Sequence, residues 1–274
     1  MSMTVRTNIA SMQASGQLNR TQKNLSSTLG RISSGLRITQ AADDAAGLGV
    51  ATSLETDVIS TKQAMRNAND GISIIQTAES ATNEVTDILQ RMRELAVQSA
   101  SETLANEERS YIQDEFVELR SEVARIAAVT EFNGVQLTDG TTTSLDVQVG
   151  IDNNTASRIT IQLGDLTTTT LNLASVTLQT VTGARGALDI IDTALGSVNS
   201  TRSLFGAVQN RIDSALNNAQ IYTEALSSAE SQIRDADFAV ETSELTKLQI
   251  MQQAGVAALA QAKNVNQSVI SLLS

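Results

Sequence analysis

The sequence predicts a mainly α-helical protein: an elongated antiparallel helical bundle or coiled coil with a small β-hairpin inserted in the middle of the chain. Three observations support this prediction. Apolar residues recur at alternating steps of three and four over most of both halves, the spacing of a coiled-coil seam. Aromatic residues make up only 2% of the chain, whereas compact cores rely on large rings. The 274 residues contain no Pro, which interrupts the backbone hydrogen bonds of a helix.

The first half of the chain contains helical segments separated by weaker stretches. The first seam should end near Gly35, because Gly and the polar residues after it interrupt a helix. Weak periodicity and Gly47 predict an irregular connector at 37–64. A turn signal at Asn133-Gly134 ends this half. The first seam is formed by Leu18, Leu25, Leu29, Ile32 and Leu36.

The Thr-rich middle of the chain, at 138–182, lacks helical periodicity. Apolar and polar residues alternate at 145–149 and again at 159–163, with loop-forming residues at 150–154 between them. Period-two alternation on both sides of a loop predicts a β-hairpin. A modified Thr-rich linker is the alternative interpretation of this segment.

The second half returns to a helical pattern, and its antiparallel return along the first half would bring the two chain ends together. The apolar stripe of the last helix includes Leu248, Leu259, Val269, Leu272 and Leu273. We therefore divide the chain into an N-terminal helix (1–36), a connector (37–64), long helices (65–137), the hairpin region (138–182), a long return helix (183–233), and a connector with the C-terminal helix (234–274).

The two terminal helices cannot bury all of their apolar surface against each other, because two amphipathic helices without a third partner leave apolar surface in water. They could pack against copies of themselves and build an open helical assembly. They could instead close within the chain into a longer bundle. Periodicity alone leaves both alternatives open.

Composition argues against enzymes and several kinds of binding protein. Without Cys or His, the chain lacks thiolate chemistry, the commonest metal ligand and the usual general base near neutral pH. We therefore expect no enzyme, no catalytic residue, no metal and no cofactor. A net charge of −11 opposes binding to nucleic acid and to anionic lipid. We also expect no cleaved signal peptide and no membrane insertion.

Five motifs, in order along the chain, resemble those of the bacterial flagellins. They are SSGLRITQAADDAAGL at 33–48, NANDGISIIQ at 67–76, QRMRELAVQS at 90–99, EFNGVQL at 131–137 and IMQQAG at 250–255. The resemblance covers nearly all of the chain outside the Thr-rich middle. Larger members of the family insert outer domains where this chain has only a short segment.

The resemblance implies a structural subunit that self-polymerises into the extracellular flagellar filament used for motility. The terminal helices would form its inner tube and the long helices its outer tube. It also implies unfolded export through the flagellar type III apparatus, an export chaperone on the C-terminal helix, a filament cap and hook-junction proteins as partners. Export offers a second reason for the missing Pro, because prolyl isomerisation is slow. The alternative function is that of a hook–filament junction protein.

Two groups of residues are candidates for specific roles. Asp43 and Asp44 could be read as a catalytic or metal pair, but adjacent loop carboxylates more often cap helices; the resemblance places them in a connector that makes subunit contacts. The second group looks like the surface that vertebrate Toll-like flagellin receptors recognise and that is buried between subunits. It consists of Gln90, Arg91, Arg93, Leu95 and Glu115.

Overall fold

The computed structural model describes residues 7–271, with side chains described as far as residue 264. It is mainly helical with a small antiparallel hairpin in the middle, which confirms the predicted fold class. The helices are α1 (Ile9–Ser34), α2 (Ala45–Ser99), α3 (Asn106–Val129), α4 (Val181–Arg234) and α5 (Phe238–Ser271). The strands are β1 (Glu131–Phe132), β2 (Val135–Gln136), β3 (Ser144–Gln148) and β4 (Arg158–Gln162).

The chain divides into two compact units. The terminal unit combines α1, the start of α2, the last turns of α4 and α5, whereas the central unit comprises residues 58–224. Within the part of the chain that the structure describes, no helix is long and apolar enough to span a membrane.

Helix α1 has a side-chain cap at its start and a glycine at its end. The Asn8 side chain accepts a hydrogen bond from the backbone N–H of Ser11 at 2.9 Å. Gly35 adopts φ 73° and donates its N–H to the carbonyl of Arg31 at 2.8 Å. A left-handed residue at this position is strained for any side chain with a Cβ. Gly35 therefore ends the helix, as the sequence predicts.

The irregular connector predicted at 37–64 is wrong for most of its length, because α2 begins at Ala45. The buried positions along this part of α2 include Ala51, Val58 and Ala64. These side chains are mostly small and give a weaker apolar signal than a row of Leu. Glycine costs a helix only about 1 kcal/mol relative to Ala, so Gly47 is tolerated. The second connector is shorter still, since three residues separate α4 from α5.

Two antiparallel hairpins follow α3. In the first, Phe132 pairs with Val135 across Asn133 and Gly134, whose φ values of 49° and 79° are typical of a type I′ turn. In the second, β3 and β4 pair in the register Leu145↔Ile161 and Val147↔Ile159. The alternation in the sequence therefore marks a hairpin and not a linker.

The central unit has two apolar clusters, each built around a Phe. Phe116 of α3 packs with Leu89 and Met92 of α2 and with apolar residues of α4. Phe205 of α4 packs with Ile75 of α2 and with the hairpin β3–β4. The irregular segment after β4 also contributes to the first cluster, through Leu166, Leu171, Leu173, Val176 and Leu178.

Candidate assembly surfaces

Helices α1 and α5 pack against each other in antiparallel directions within the terminal unit. The Asn8 side chain donates to the carbonyl of Ala262 at 2.9 Å, near the start of α1. Near its end, Arg31 Nη1 donates to Glu241 Oε1 at 3.2 Å. The start of α1 therefore contacts the later part of α5, and the end of α1 contacts the start of α5. The two ends of the chain are paired by direct side-chain contacts.

The contact between these helices uses one stripe of each. On α1, Leu18, Thr21, Leu25, Thr28 and Ile32 follow steps of three and four and are at least half-buried. Two of these positions hold Thr. Leu29, which the sequence placed in the stripe, is instead 48% exposed. Leu36 lies beyond the end of α1, where it forms an isolated bridge with Asp235.

The matching stripe of α5 contains polar and small residues as well as Leu. Its at least half-buried positions are Glu241, Leu245, Leu248, Gln252, Gly255, Leu259 and Ala262. Leu248 and Leu259 therefore lie in the contact with α1. The side chain of Val269, and Leu272 and Leu273 altogether, lie outside the described residues.

The remaining α5 surface carries few charges and several uncovered apolar side chains. From Leu248 to Ser271, Lys263 is the one charged residue in the sequence. Ile250 lies on the side of α5 opposite the α1 contact and is 61% exposed. Other exposed apolar side chains on the two helices are Ile9, Met12, Phe238, Val240, Met251 and Val256. Large apolar side chains are normally buried, whereas α5 is covered by α1 on one stripe only.

The two connectors of the terminal unit are joined by backbone hydrogen bonds. Arg37 donates its N–H to the carbonyl of Arg234 at 2.7 Å, and Ala236 donates to the carbonyl of Gly35 at 2.9 Å. Arg234 also donates to Glu55 Oε2 of α2 at 2.9 Å. The pairing holds the end of α1 beside the start of α5.

Asp43 and Asp44 make local hydrogen bonds. Asp44 accepts from the N–H of Gly47 at 2.9 Å and caps α2. Asp43 accepts from the N–H and the hydroxyl of Thr39 and from the N–H of Gln40. The hydrogen bond from the Thr39 N–H is the main reason why the pKa of Asp43 lies below its usual value. Among the described residues, no group of three or more acidic side chains could hold a metal ion.

Arg91 organises an exposed charged network on α2 and α3. Its Nε and Nη2 atoms donate to Glu115 Oε1 at 3.0 and 2.7 Å, and Nη1 donates to Glu94 Oε2 at 2.9 Å. These hydrogen bonds, chiefly the one with Glu115, raise the pKa of Arg91. The ion pair between Arg91 and Glu94, three residues apart, agrees with the helical spacing.

Of the other residues predicted to form this surface, Arg93 and Gln90 are exposed, whereas Leu95 is buried in the core. Arg93 Nε donates to Asp192 Oδ1 of α4 at 2.7 Å, a contact that sequence spacing could not indicate. Gln90 is exposed. Leu95 is only 1% exposed and belongs to the apolar cluster around Phe116. The Leu95 side chain, predicted on this surface, is therefore buried in the core instead, although it follows Arg91 by one helical turn on nearly the same face of α2.

Comparison with known proteins identifies the family. The bacterial flagellin N-terminal helical region matches residues 5–143, and the bacterial flagellin C-terminal helical region matches residues 188–273. The chain is 43% identical over 243 residues to a flagellin of Halalkalibacterium halodurans, covering 89% of each chain. It is 37% identical over 285 residues to the flagellar filament 33 kDa core protein of Treponema phagedenis, covering 99% of this chain and all of that one. The crystal structure of Bacillus cereus flagellin matches with a TM-score of 0.50 and 31% identity, over 56% of this chain and 88% of that one. The chain belongs to the bacterial flagellin family.

Proposed function

We propose that this chain is the structural subunit of a bacterial flagellar filament and that it polymerises through α1 and α5. The observation that carries the proposal is the surface of α5, where exposed apolar side chains such as Val240 and Ile250 lie outside the one stripe that α1 covers. Burial of apolar surface stabilises an assembly by about 25 cal/mol per Å². Copies of the same two helices are the natural cover, because a head-to-tail contact that repeats by rotation and rise builds an open helical assembly.

The test is polymerisation of the purified chain, seeded at high salt and followed by light scattering and negative-stain electron microscopy. We expect the intact chain to grow into long uniform tubes, and a chain that lacks residues 245–274 to stay unassembled. Ile250→Asp should raise the critical concentration at least about 100-fold, since each 1.4 kcal/mol is a factor of ten. Ile221→Asp, at an exposed site outside the terminal helices, is the matched control and should assemble normally.

The hook–filament junction alternative makes a different prediction for the same experiment. A junction protein would stop at a ring or short oligomer, even with seeds present. Growth limited to such oligomers would contradict the filament proposal and support the junction protein. Failure of the terminal deletion to affect growth would contradict the role of α5.

The proposal extends to export and to protein partners. Exposed apolar faces on α5 would associate prematurely inside the cell, so we propose that an export chaperone covers 245–273. We propose unfolded export through the flagellar type III apparatus and addition beneath a distal cap. Hook-junction proteins would contact the first subunits added. The extracellular filament is then the site of function.

A second candidate function belongs to the free monomer. The exposed network of Arg91, Glu94 and Glu115 offers fixed charges with defined geometry, with Gln90 and Arg93 on the same helix. We propose that a vertebrate Toll-like flagellin receptor contacts this surface when it is not buried between subunits. Leu95 would support the surface from within the core.

A further inference from the structure

We infer that a basic groove in the central unit of one copy receives an acidic stripe of α3 from a second copy. This lateral contact would add charge pairing between central units to the apolar contact of the terminal helices. It rests on the proposed filament function and names the surfaces by which neighbouring copies recognise one another.

The basic groove lies between the hairpin strand β4 and helix α4, and has a volume of about 510 Å³. Arg158 of β4 and Arg211 of α4 both line it, and its walls contain no carboxylate. Among the described residues, neither arginine takes part in an ion pair. Asn210, Ser214 and Asn218 add further polar groups. Arg158 donates to the neutral amide oxygens of Gln148 and Asn153, at 3.2 and 2.6 Å. In a chain of net charge −11, two arginines without a carboxylate partner in one groove point to an acidic ligand.

The acidic stripe lies on the outer face of α3. Glu107, Asp114 and Glu118 are exposed, and they form no ion pair with any described residue. Tyr111 lies between them and is 68% exposed. The steps of four, three and four residues place all four side chains on one helix face. Tyr is enriched at protein interfaces, so this face has the composition of a docking surface.

One chain cannot join its own stripe to its own groove. Gly71 of α2 lies beside Ile212, the residue after Arg211, so the groove lies near residue 71 along α2. Arg91 of α2 binds Glu115, the residue after Asp114, so the stripe lies near residue 91 along α2. At 1.5 Å per residue, the helix between Gly71 and Arg91 spans about 30 Å. The contact must therefore join two copies.

This separation also sets the kind of assembly. The stripe and the groove are different surfaces, so the contact is heterologous and leaves a free stripe and a free groove on every pair. A heterologous contact that does not close into a ring continues as an open helical filament. Pairing of opposite charges also offsets the mutual repulsion of acidic copies, and this contribution weakens as salt increases.

The experiment measures the critical concentration for polymerisation of the full chain at about 0.05 M and about 0.5 M NaCl. Arg211→Glu should raise it roughly tenfold or more at the lower salt concentration and less at the higher one. Arg66→Glu is the matched control, because Arg66 is exposed and donates its hydrogen bonds to neutral Gln63. It should leave the critical concentration within about threefold of the parent. Circular dichroism should show unchanged folding for both variants, since neither side chain is buried.

Charge exchange identifies the partner surface. Asp114→Arg and Glu118→Arg should each raise the critical concentration alone, and at least one of them should restore assembly when combined with Arg211→Glu. Equal effects of Arg211→Glu and Arg66→Glu would overturn the inference, as would the absence of any rescue, which would mean that the groove binds some other acidic ligand. A parent chain that fails to polymerise would instead overturn the proposed filament function, and the inference with it.

Discussion

Arg31 of α1 and Glu241 of α5, 210 residues apart in sequence, form an ion pair across the contact between the two ends of the chain, with Nη1 and Oε1 3.2 Å apart. Glu241 is buried, and its carboxylate lies on the same stripe as Leu245 and Leu248. Arg31 also approaches Asp43 Oδ1 at 4.0 Å. The pair therefore connects α1, α5 and the connector at one point of the terminal unit.

Removal of the Arg31 guanidinium should loosen the pairing of α1 with α5. Arg31→Met leaves the buried carboxylate of Glu241 without its partner, at a cost of about 1–3 kcal/mol. Hydrogen exchange of the α1 and α5 amides in the monomer should speed up accordingly. The double variant Arg31→Met with Glu241→Leu should recover most of the protection, because no charge then remains buried. If the double variant exchanges faster than the single one, the unpaired carboxylate is not the cause.

The connector turn around Asp43 should loosen in acid. The pKa of Asp43 lies below its usual value, mainly because the Thr39 N–H donates to the carboxylate. A folded pKa below the unfolded one of about 3.9 stabilises the turn above that pH, and the contribution is lost as pH falls through the folded pKa. A carbon-detected NMR titration should place the Asp43 midpoint below the unfolded value of about 3.9. Asp43→Asn should remove the acid transition of the Thr39 amide, and an Asp43 midpoint at or above that value would contradict the prediction.

Arg109 should be essential for the turn between α2 and α3. It is 4% exposed and donates to the carbonyls of Ser99, Ser101 and Leu104 at 3.0, 2.6 and 2.8 Å. Arg109→Met leaves these acceptors without their donor and should lower the free energy of unfolding by about 2–4 kcal/mol. Urea unfolding measures this loss. Arg120→Met is the control: Arg120 makes one bond to the Ala174 carbonyl on the surface, and its loss should cost under about 1 kcal/mol. Similar losses for both variants would contradict the special role of Arg109.

Receptor recognition of the monomer should depend on the Arg91 network. Arg91→Ala removes the guanidinium that both Glu94 and Glu115 bind, so the surface loses its central charge and its fixed geometry. We expect at least a tenfold loss of potency in a cell reporter assay for the Toll-like flagellin receptor, as for a central arginine anchor. Arg125→Ala is the matched control, because Arg125 is also exposed and ion-paired on α3, with Glu122. Equal potency of both variants and the parent would contradict recognition through this surface.

The sequence alone determined the helical class, the turn at Gly35, the hairpin at 145–163 and the family, because these depend on local spacing and on motifs. Periodicity of three and four residues, or of two, can be seen without knowledge of which elements meet. The same local reasoning failed at 45–64, where Ala and Thr fill contact positions that a search for large apolar residues overlooks. It also placed Leu29 in a contact that Thr21 and Thr28 make.

Tertiary structure decided which faces are covered and which are free. Whether Leu95 faces solvent, whether Arg93 meets Asp192, and which side of α5 remains open all depend on the angle at which each helix faces its neighbour. The basic groove also depends on tertiary structure, since Arg158 and Arg211 come from a strand and a helix that are far apart in sequence. The physical reason is that burial and charge pairing are properties of juxtaposed elements, and a single chain pattern fixes the stripe of each helix but not the surface that covers it.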